Sequence, residues 1–337
     1  MDSLTHIVIG ACIGDLVAGK KIGKRAMLYG ALLQSIPDID FIASFWLDPV
    51  NDLVAHRGIT HSLLFAVCVT PVLAFVAKKL RHKNDLSYPF WNMFFISEIL
   101  IHLLLDAFNA YGTGWFEPFH HVRVSFHAIY VADPLFSIIP GIAFAVLLIK
   151  RWDDPSRRKW AYASLIVCFA YLMASLFNKD HVDKDVRHIA HSKHISTDHF
   201  LSTPTPLNNL LWFIAIPSGN GFYIGYRSVF DRTNDMELRY VPRNDSLLNN
   251  FSDTTAVRLL KQFSQGYYTI ETYSKDTLVI NDLRFGQEAG WVDLDNRFAF
   301  HYYLNHQDDN ALVVQRGRFA RWDKNSFKLM WKKIKGD

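Results

Sequence analysis

The sequence predicts an α-helical integral membrane bundle followed by a small α+β domain. Half of the 337 residues are hydrophobic, and the apolar residues crowd into the first 177 positions. There, apolar runs of helix length alternate with short clusters of lysine and arginine, which is typical of membrane proteins. After residue 177 the composition turns polar, and strand-like runs follow. We therefore place a transmembrane helical domain at 1–180, a polar linker or juxtamembrane helix at 181–205 and a soluble domain at 206–337.

The helical half divides into six apolar segments. The first is short for a full crossing, and the second is interrupted by Pro37, Asp38 and Asp40. Proline removes a backbone donor and carboxylates are costly in hydrocarbon, so we expect a helix to break or bend there. This predicts about five to six membrane spans, the first two short or kinked. The segments cover residues 4–17, 26–47, 60–80, 90–108, 134–149 and 160–177.

The loops between these segments alternate in positive charge. In order along the chain they carry four, one, four, one and five lysine or arginine residues. Because loops rich in these residues stay in the cytoplasm, the alternation predicts that the N-terminus and everything after residue 177 are extracytoplasmic. The first segment has no basic start, so we expect a retained helix rather than a signal peptide.

Net charge and cysteine content argue against two other classes of protein. The net charge of +4 comes from loop clusters, which are topology signals, and not from a continuous basic face that would bind nucleic acid. The cysteines show no CxxC or paired spacing and lie in apolar runs, so we expect buried packing residues rather than disulfides. They are Cys12, Cys68 and Cys168.

From residue 211 onward the sequence predicts a mostly antiparallel α+β domain. Two runs rich in β-branched and aromatic residues, 211–217 and 222–230, flank the turn residues SGNG and predict a hairpin. Residues 254–263 predict a helix with one apolar side. We expect this domain to gather substrate or bind a partner. Further strand-like runs are 237–242, 267–273, 277–285, 297–304 and 311–317.

Segment 90–108 carries three ionisable residues, Glu98, His102 and Asp106, at intervals of four. A helical repeat of about 3.6 residues places such positions on one stripe. Ionisable groups are costly inside a membrane, so the stripe predicts a functional site that faces the bundle interior. We expect Glu98 to be a partner that orients His102 without binding the metal itself. A purely structural polar contact between helices remains the alternative.

Other histidine and aspartate residues fall at the same predicted depth, in the outer half of the membrane. The predicted topology used only lysine and arginine, so the shared depth of the histidines and aspartates is independent evidence for a common site. Imidazole and carboxylate groups together suit a divalent metal, zinc first, with manganese or iron as alternatives. One zinc ion uses three or four ligands, so eight candidates predict one or two ions. The candidate metal ligands are His6, Asp38, Asp40, His56, His61, His102, Asp106 and Asp133.

Several of these residues lie in motifs that resemble a known family. The motifs are LTHIVIGA, SIPDIDFI, HRGITHSLL, HLLLDAFNAYGT and ADPLF. They resemble the bacterial inner-membrane proteins of the YdjM and YfhP type, which are generally described as predicted membrane-bound metal-dependent hydrolases. The resemblance covers about residues 1–150, and TPTPLNNLLW is similar to the YfhP-type extension. It implies a multi-pass hydrolase of the bacterial cytoplasmic membrane whose metal ligands come from the eight candidates.

The hypothesis for the reaction is hydrolysis by metal-activated water at the outer leaflet. Its candidate catalytic residues are Asp40, Arg57 and Asp106, with Arg57 stabilising an anionic transition state. An ion pair between Arg57 and Asp52 is the alternative role. The site's position predicts a lipid-like partner, such as a phospholipid or polyprenyl phosphate, with a phosphate or acyl ester. Asn109 is expected near the entrance.

Two other functions stay open at this stage. A non-catalytic scaffold would use the metal for stability, and a transporter would carry polar residues through both leaflets. A second metal site at His188, His191 and His194 is less favoured than a solvated helix face, because spacing by three spreads the side chains around a helix.

Overall fold

A computed structural model describes residues 1–80, 86–249, 251, 254–274, 277–304 and 322–336. The predicted strand at 311–317 lies outside these residues. The chain forms two compact units. The first comprises Met1–Ala43 and Ala55–Ala174, and the second comprises Ser44–Val54 and Ser175–Asp337.

The N-terminal part of the chain is helical. Among the described residues, four helices are long and apolar enough to cross a membrane, and one further apolar helix is shorter. The exact number of spans stays a prediction. The four helices are α1 (Ser3–Ile22), α4 (Leu63–Leu80), α5 (Tyr88–Ala107) and α7 (Ser156–Ser192), and the shorter one is α6 (Pro134–Ile149). Between them lie α2 (Arg25–Ser35), α3 (Pro49–Ala55) and two 3₁₀ segments, Pro37–Phe45 and Ile59–His61.

The second apolar segment is interrupted at the expected place. Helix α2 ends at Ser35, and the 3₁₀ segment begins at Pro37, whose ring nitrogen carries no hydrogen to continue the α-helical bonding. The interruption turns the two aspartates of PDID out of a regular membrane helix. It places them in a short 3₁₀ segment where Asp38 contacts α1, the second 3₁₀ segment and α5, and the candidate site forms there.

Helices α1 and α2 approach closely because glycine faces glycine at their crossing. A Cβ built on Gly30 would overlap the carbonyl oxygen of Gly10, and one built on Gly14 would overlap that of Ala26. Hydrogen in place of a side chain therefore allows the two backbones to touch. This contact fixes the position of the last turn of α2 against α1.

The other end of α1 carries a buried ion pair. Arg157, at the start of α7, donates from Nε to Asp15 Oδ1 at 3.2 Å, and its Nη1 donates to the backbone oxygen of Lys150 at 3.0 Å. Both charged side chains are almost fully buried. Cys12 and Cys168 are buried as expected, whereas Cys68 on α4 is exposed, so that part of the cysteine prediction was wrong. Cys68 therefore lies on the exposed, apolar side of α4, which is a candidate membrane helix.

The C-terminal unit contains two small antiparallel sheets, which confirms the predicted α+β class. The first has strand order β1-β2-β3-β4 and the second β5-β6-β7. The predicted hairpin is β2–β3, joined by a two-residue turn in which Gly219 has a positive φ of 53°. The strands are β1 (Leu201–Pro204), β2 (Leu211–Ser218), β3 (Gly221–Ser228), β4 (Leu238–Pro242), β5 (Tyr268–Ser274), β6 (Thr277–Asp282) and β7 (His301–Tyr303), and the helices are α8 (Thr254–Phe263) and α9 (Lys324–Ile334).

The first sheet is buried on both faces. One face packs against the residues that follow β6 and against α9, in a core that includes Phe213, Phe222 and Met330. The other face packs against the second half of α7, where Val182 and Val186 are fully buried. The second half of α7 is therefore a structural part of this unit.

Candidate metal centre

Four side chains converge at one end of the helical unit. Asp38 comes from the first 3₁₀ segment, His61 from the second, and His102 and Asp106 from α5. One ligand atom of each lies within 4.8 Å of the others. We call these residues the four-residue cluster. Only the Asp38 side chain is partly exposed, at 18%, so it is the member closest to solvent or lipid.

The distances within the four-residue cluster match a single tetrahedral ion. His61 Nε2 lies 3.1 Å from His102 Nε2. Each of these nitrogens lies 3.3–3.6 Å from Asp38 Oδ1 and from Asp106 Oδ2. Ligands bonded to zinc at about 2.0–2.1 Å stand about 3.3 Å apart along the edges of a tetrahedron. Five of the six edges of the cluster are therefore close to those of a zinc site, and the sixth, between the two carboxylate oxygens, is within 4.8 Å.

Hydrogen bonds to the Nδ1 atoms of His61 and His102 orient the two rings so that the Nε2 lone pairs point toward each other. His102 Nδ1 lies 2.5 Å from the backbone oxygen of Gln34, which can only accept, so Nδ1 carries the proton. His61 Nδ1 lies 3.4 Å from Asp40 Oδ2 and 3.1 Å from Thr60 Oγ1, which itself donates to Asp40. Both Nε2 atoms then face the cluster as acceptors. Two such atoms at 3.1 Å repel each other unless a positive charge lies between them.

The two oxygens of Asp106 have different surroundings. Oδ2 faces the cluster, with Arg57 Nε at 3.0 Å. Oδ1 is contacted by His6 Nε2 at 3.1 Å and by the α-amino group of Met1. The His6 ring also stacks on the His102 ring, with centroids 3.8 Å apart. Asp106 therefore offers one oxygen to the cluster and keeps the other against α1.

Asp40 lies behind His61 rather than in the four-residue cluster. Its carboxylate also accepts from the backbone nitrogen of Arg57 at 2.7 Å and lies 3.2 Å from His56 Nδ1. Burial lowers the pKa of the His56 imidazole below its ordinary value, although the hydrogen bond with Asp40 acts in the opposite direction. A carboxylate on the outer nitrogen of a ligand histidine orients the ring and raises its basicity. The assignment of Asp40, His56 and His6 as direct ligands stays a prediction.

Arg57 is buried in the wall of the site. Its Nη1 donates to Asn109 Oδ1 at 3.0 Å and its Nη2 to the backbone oxygen of Met1 at 3.0 Å. Its backbone has a positive φ of 57°, which is uncommon without glycine and is held by Gly114 N–H donating to its carbonyl oxygen at 2.9 Å. These contacts hold a permanent positive charge next to Asp106.

The structure does not bring Asp133 into the four-residue cluster. Asp133 caps α6: Oδ1 accepts from the backbone nitrogens of Leu135 and Phe136, at 3.0 and 3.4 Å, and Oδ2 accepts from Tyr171 at 2.6 Å. The alternative histidine site on α7 also does not form a metal-binding group within the described part of the chain. Its histidines are exposed: His188, His191 and His194.

Sequence reasoning missed Gln34, which is fully buried beside the cluster. Its side chain lies between His6 and Glu98, with Oε1 at 3.2 Å from His6 Nδ1 and Nε2 at 2.9 Å from the Glu98 backbone oxygen. The signal that could have found it is a polar amide in an otherwise apolar run just before PDID. Such a residue in a membrane helix normally contacts another polar group.

Two bacterial proteins are similar in sequence to this chain. A protein of Bacillus subtilis strain 168 named "Uncharacterized protein YfhP" is 24% identical over 236 residues, which are 67% of this chain and 68% of that protein. The inner membrane protein YbcI of Escherichia coli strain K12 is 30% identical over 122 residues, which are 36% of this chain and 69% of YbcI. No solved structure matches the chain.

A sequence profile identifies the family directly. The profile of the YdjM inner membrane protein family matches residues 1–182, more than half of the 337 residues and all of the four-residue cluster. Together with the apolar helices, this match supports a location in the bacterial inner membrane. The chain belongs to the YdjM inner membrane protein family.

Proposed function

We propose that this protein is a membrane-embedded, metal-dependent hydrolase that holds a divalent cation, zinc first, in the four-residue cluster. The observation that carries the proposal is the pair of imidazole nitrogens 3.1 Å apart, each oriented from behind, with two carboxylate oxygens 3.3–3.6 Å away. Imidazole lone pairs and carboxylate oxygens gathered in a buried place favour the binding of a cation between them.

The chain's own residues would prepare the site for hydrolysis. A bound divalent cation supplies Lewis-acid activation of water and polarisation of a phosphoryl or acyl oxygen. Asp40 orients His61, and Arg57 provides a fixed positive charge beside Asp106 for an anionic group. Asn109 Oδ1 accepts from Arg57 and from the backbone nitrogen of Tyr111, so its Nδ2 is the end left to donate to a substrate oxygen.

The surroundings of Asp38 support a lipid-like substrate. Asp38 is the partly exposed member of the cluster, and the large apolar side chains that its 3₁₀ segment exposes include Ile39, Phe41 and Ile42. An amphiphile could place its ester or phosphate group at Asp38 while its chain stays in contact with these residues. A phospholipid or polyprenyl phosphate of the outer leaflet has this chemistry, and membrane lipids are then the partners of the protein.

A non-catalytic, metal-stabilised scaffold is the second candidate. It is favoured by one observation, which is that four protein side chains can supply all four ligands of one ion, as in structural zinc sites. A catalytic site needs an open position, which would require Asp38 to move aside or the ion to accept a fifth ligand. Turnover distinguishes the two functions, because a scaffold retains the metal and hydrolyses nothing.

The test is metal analysis of the purified full chain beside two variants, His61→Ala and His102→Ala. We expect wild type to retain close to one zinc ion per chain and both variants to lose it. His121→Ala is the matched control, because this exposed histidine pairs with Glu117 in a loop. A screen of lipid phosphates and lipid esters with the zinc-loaded protein then looks for hydrolysis. Equal metal content in all four proteins would refute the metal site.

A further inference from the structure

Gln34 contacts the residues around the four-residue cluster through three different atoms. Its backbone oxygen accepts from His102 Nδ1 at 2.5 Å. Its side-chain Oε1 lies 3.2 Å from His6 Nδ1, and its Nε2 donates to the backbone oxygen and to Oε2 of Glu98 at 2.9 and 3.2 Å. All four residues are fully buried. One residue of α2 therefore connects α1 and α5 behind the cluster.

The partners of Gln34 determine which way its amide points. The backbone oxygen of Glu98 can only accept, so the nitrogen end of the amide faces Glu98 and the oxygen end faces His6. The oxygen end holds the Nδ1 edge of the His6 ring. This leaves His6 Nε2 against Asp106 Oδ1, at 3.1 Å. The amide thereby keeps the ring in the space beside this oxygen.

The consequence concerns how Asp106 can bind a cation. A carboxylate with both oxygens free can bind through both, which raises the coordination number and suits ions that prefer more oxygen ligands. A carboxylate with one oxygen covered binds through the other and suits a four-coordinate ion such as zinc. In this structure His6 and the α-amino group of Met1 cover Oδ1 together, and only Oδ2 faces the cluster.

We propose that Gln34 is a positioning residue that keeps the cation four-coordinate and so favours zinc over manganese. The inference rests on the proposed cation site. The side chain of Gln34 acts on Asp106 through His6, and its backbone oxygen acts on His102 directly. Two of the four candidate ligands are therefore oriented by one residue that does not itself touch the cation.

The test uses the full chain purified in detergent and loaded with Co²⁺, which absorbs strongly when four-coordinate and weakly when more ligands bind. We expect Gln34→Ala to lose most of this absorption while still binding Co²⁺ at saturation. Its affinity for Zn²⁺ should fall by about tenfold to a hundredfold, as for other residues that orient metal ligands, and its affinity for Mn²⁺ should fall less. Ser97→Ala is the control, because that hydroxyl donates to Phe94 O within α5.

A double-mutant cycle separates positioning from folding. If the Gln34 side chain acts on Asp106 through His6, His6→Ala should reproduce the loss of Co²⁺ absorption that we expect for Gln34→Ala. The variant that carries both substitutions should then be no more impaired than either single variant.

Two results would overturn the inference. One is a Gln34→Ala protein with the absorption and the ratio of Zn²⁺ to Mn²⁺ affinities of wild type. The other is a double variant in which the losses caused by Gln34→Ala and His6→Ala add. Either result leaves the proposed cation site standing, provided that wild type binds Co²⁺. Wild type that binds no Co²⁺ would instead refute the proposed function itself.

Discussion

Asp38 and Asp40 lie two residues apart in one 3₁₀ segment, but their carboxylates have different partners. A 3₁₀ helix has about three residues per turn, so side chains two apart point in different directions. Asp38 Oδ1 faces His61 Nε2 at 3.5 Å, whereas Asp40 Oδ2 lies 3.4 Å from Nδ1 on the other edge of the same ring. The two carboxylates thus contact one imidazole from opposite edges, one at the cluster and one behind it.

This difference predicts distinct effects of removing each charge. We expect Asp38→Asn to abolish retention of zinc through dialysis, because it weakens a group that faces the ion. Asp40→Asn should retain one ion with an affinity about tenfold to a hundredfold lower, the usual cost of losing a partner behind a ligand. Competition with a chromophoric chelator measures both. Asp153→Asn, which changes an exposed ion pair with Arg151, is the control. Equal losses in both variants would make Asp40 a direct ligand.

Asp133 gives a prediction of the opposite kind. Its carboxylate caps α6 and accepts from Tyr171, so Asp133→Ala should lower the free energy of unfolding by about 0.5–2 kcal/mol. Asparagine caps helices well, so Asp133→Asn should retain most of the stability. Zinc content should equal wild type in both. Thermal unfolding in detergent and metal analysis provide the measurements, and loss of zinc at unchanged stability would identify Asp133 as a ligand.

The residues of the site differ in how far sequence could identify them. His102 and Asp106 follow from helical spacing, because positions four apart share a helix face. Asp133 shows the limit of predicted depth, since it shares the predicted depth of the other candidates but caps α6 outside the four-residue cluster. Gln34 carries no charge and belongs to no ligand class, so only its contacts reveal it. The depth of a side chain can be predicted from sequence, but the direction in which it points depends on its neighbours in the folded protein.

At the scale of elements, the contact of α1 with α2 supports the site. Because a Cβ on Gly30 would overlap Gly10 O and lie 2.9 Å from Glu98 Oε1, Gly30→Ala should separate the two helices. We expect a loss of about 1–3 kcal/mol in unfolding free energy, as for other overpacked interiors, together with weaker zinc binding. Gly141→Ala on α6 is the matched control, since its Cβ would meet nothing within 4 Å. Thermal unfolding that is unchanged by Gly30→Ala would contradict this packing.

Sequence patterns predicted most elements but not all of their ends. The hairpin β2–β3 followed from two apolar runs around a glycine turn, and the interruption after α2 followed from proline. The short strand β1, at Leu201–Pro204, falls in the predicted linker because it runs into the sequence TPTP, which resembles a loop. It pairs with β2, a partner that local sequence does not show. Helix α7 continues to Ser192 because its second half is covered by the sheet, a tertiary effect.

At the scale of the whole molecule, the polar centre and the basic residues occupy opposite ends of the candidate spans. The four-residue cluster lies at the start of α4 and the end of α5, and His6 lies at the start of α1. The last turns of α1 and α4 carry lysine pairs, Lys20–Lys21 and Lys78–Lys79. Asp15, at the basic end of α1, is paired with Arg157, so it does not extend a polar path through the membrane as a transporter would need.

This separation leads to a prediction about sidedness. Lysine-rich ends stay cytoplasmic, so the metal centre should open toward the outer leaflet and the C-terminal unit should be extracytoplasmic. Alkaline phosphatase fused to the end of the full chain should be active in Escherichia coli, because that enzyme folds only after export, and green fluorescent protein at the same place should be dark. Fusions after Leu80, at the basic end of α4, should show the reverse pattern. Reversed activities at both positions would put the site on the cytoplasmic face, and lipids of the inner leaflet would then be the substrates to test.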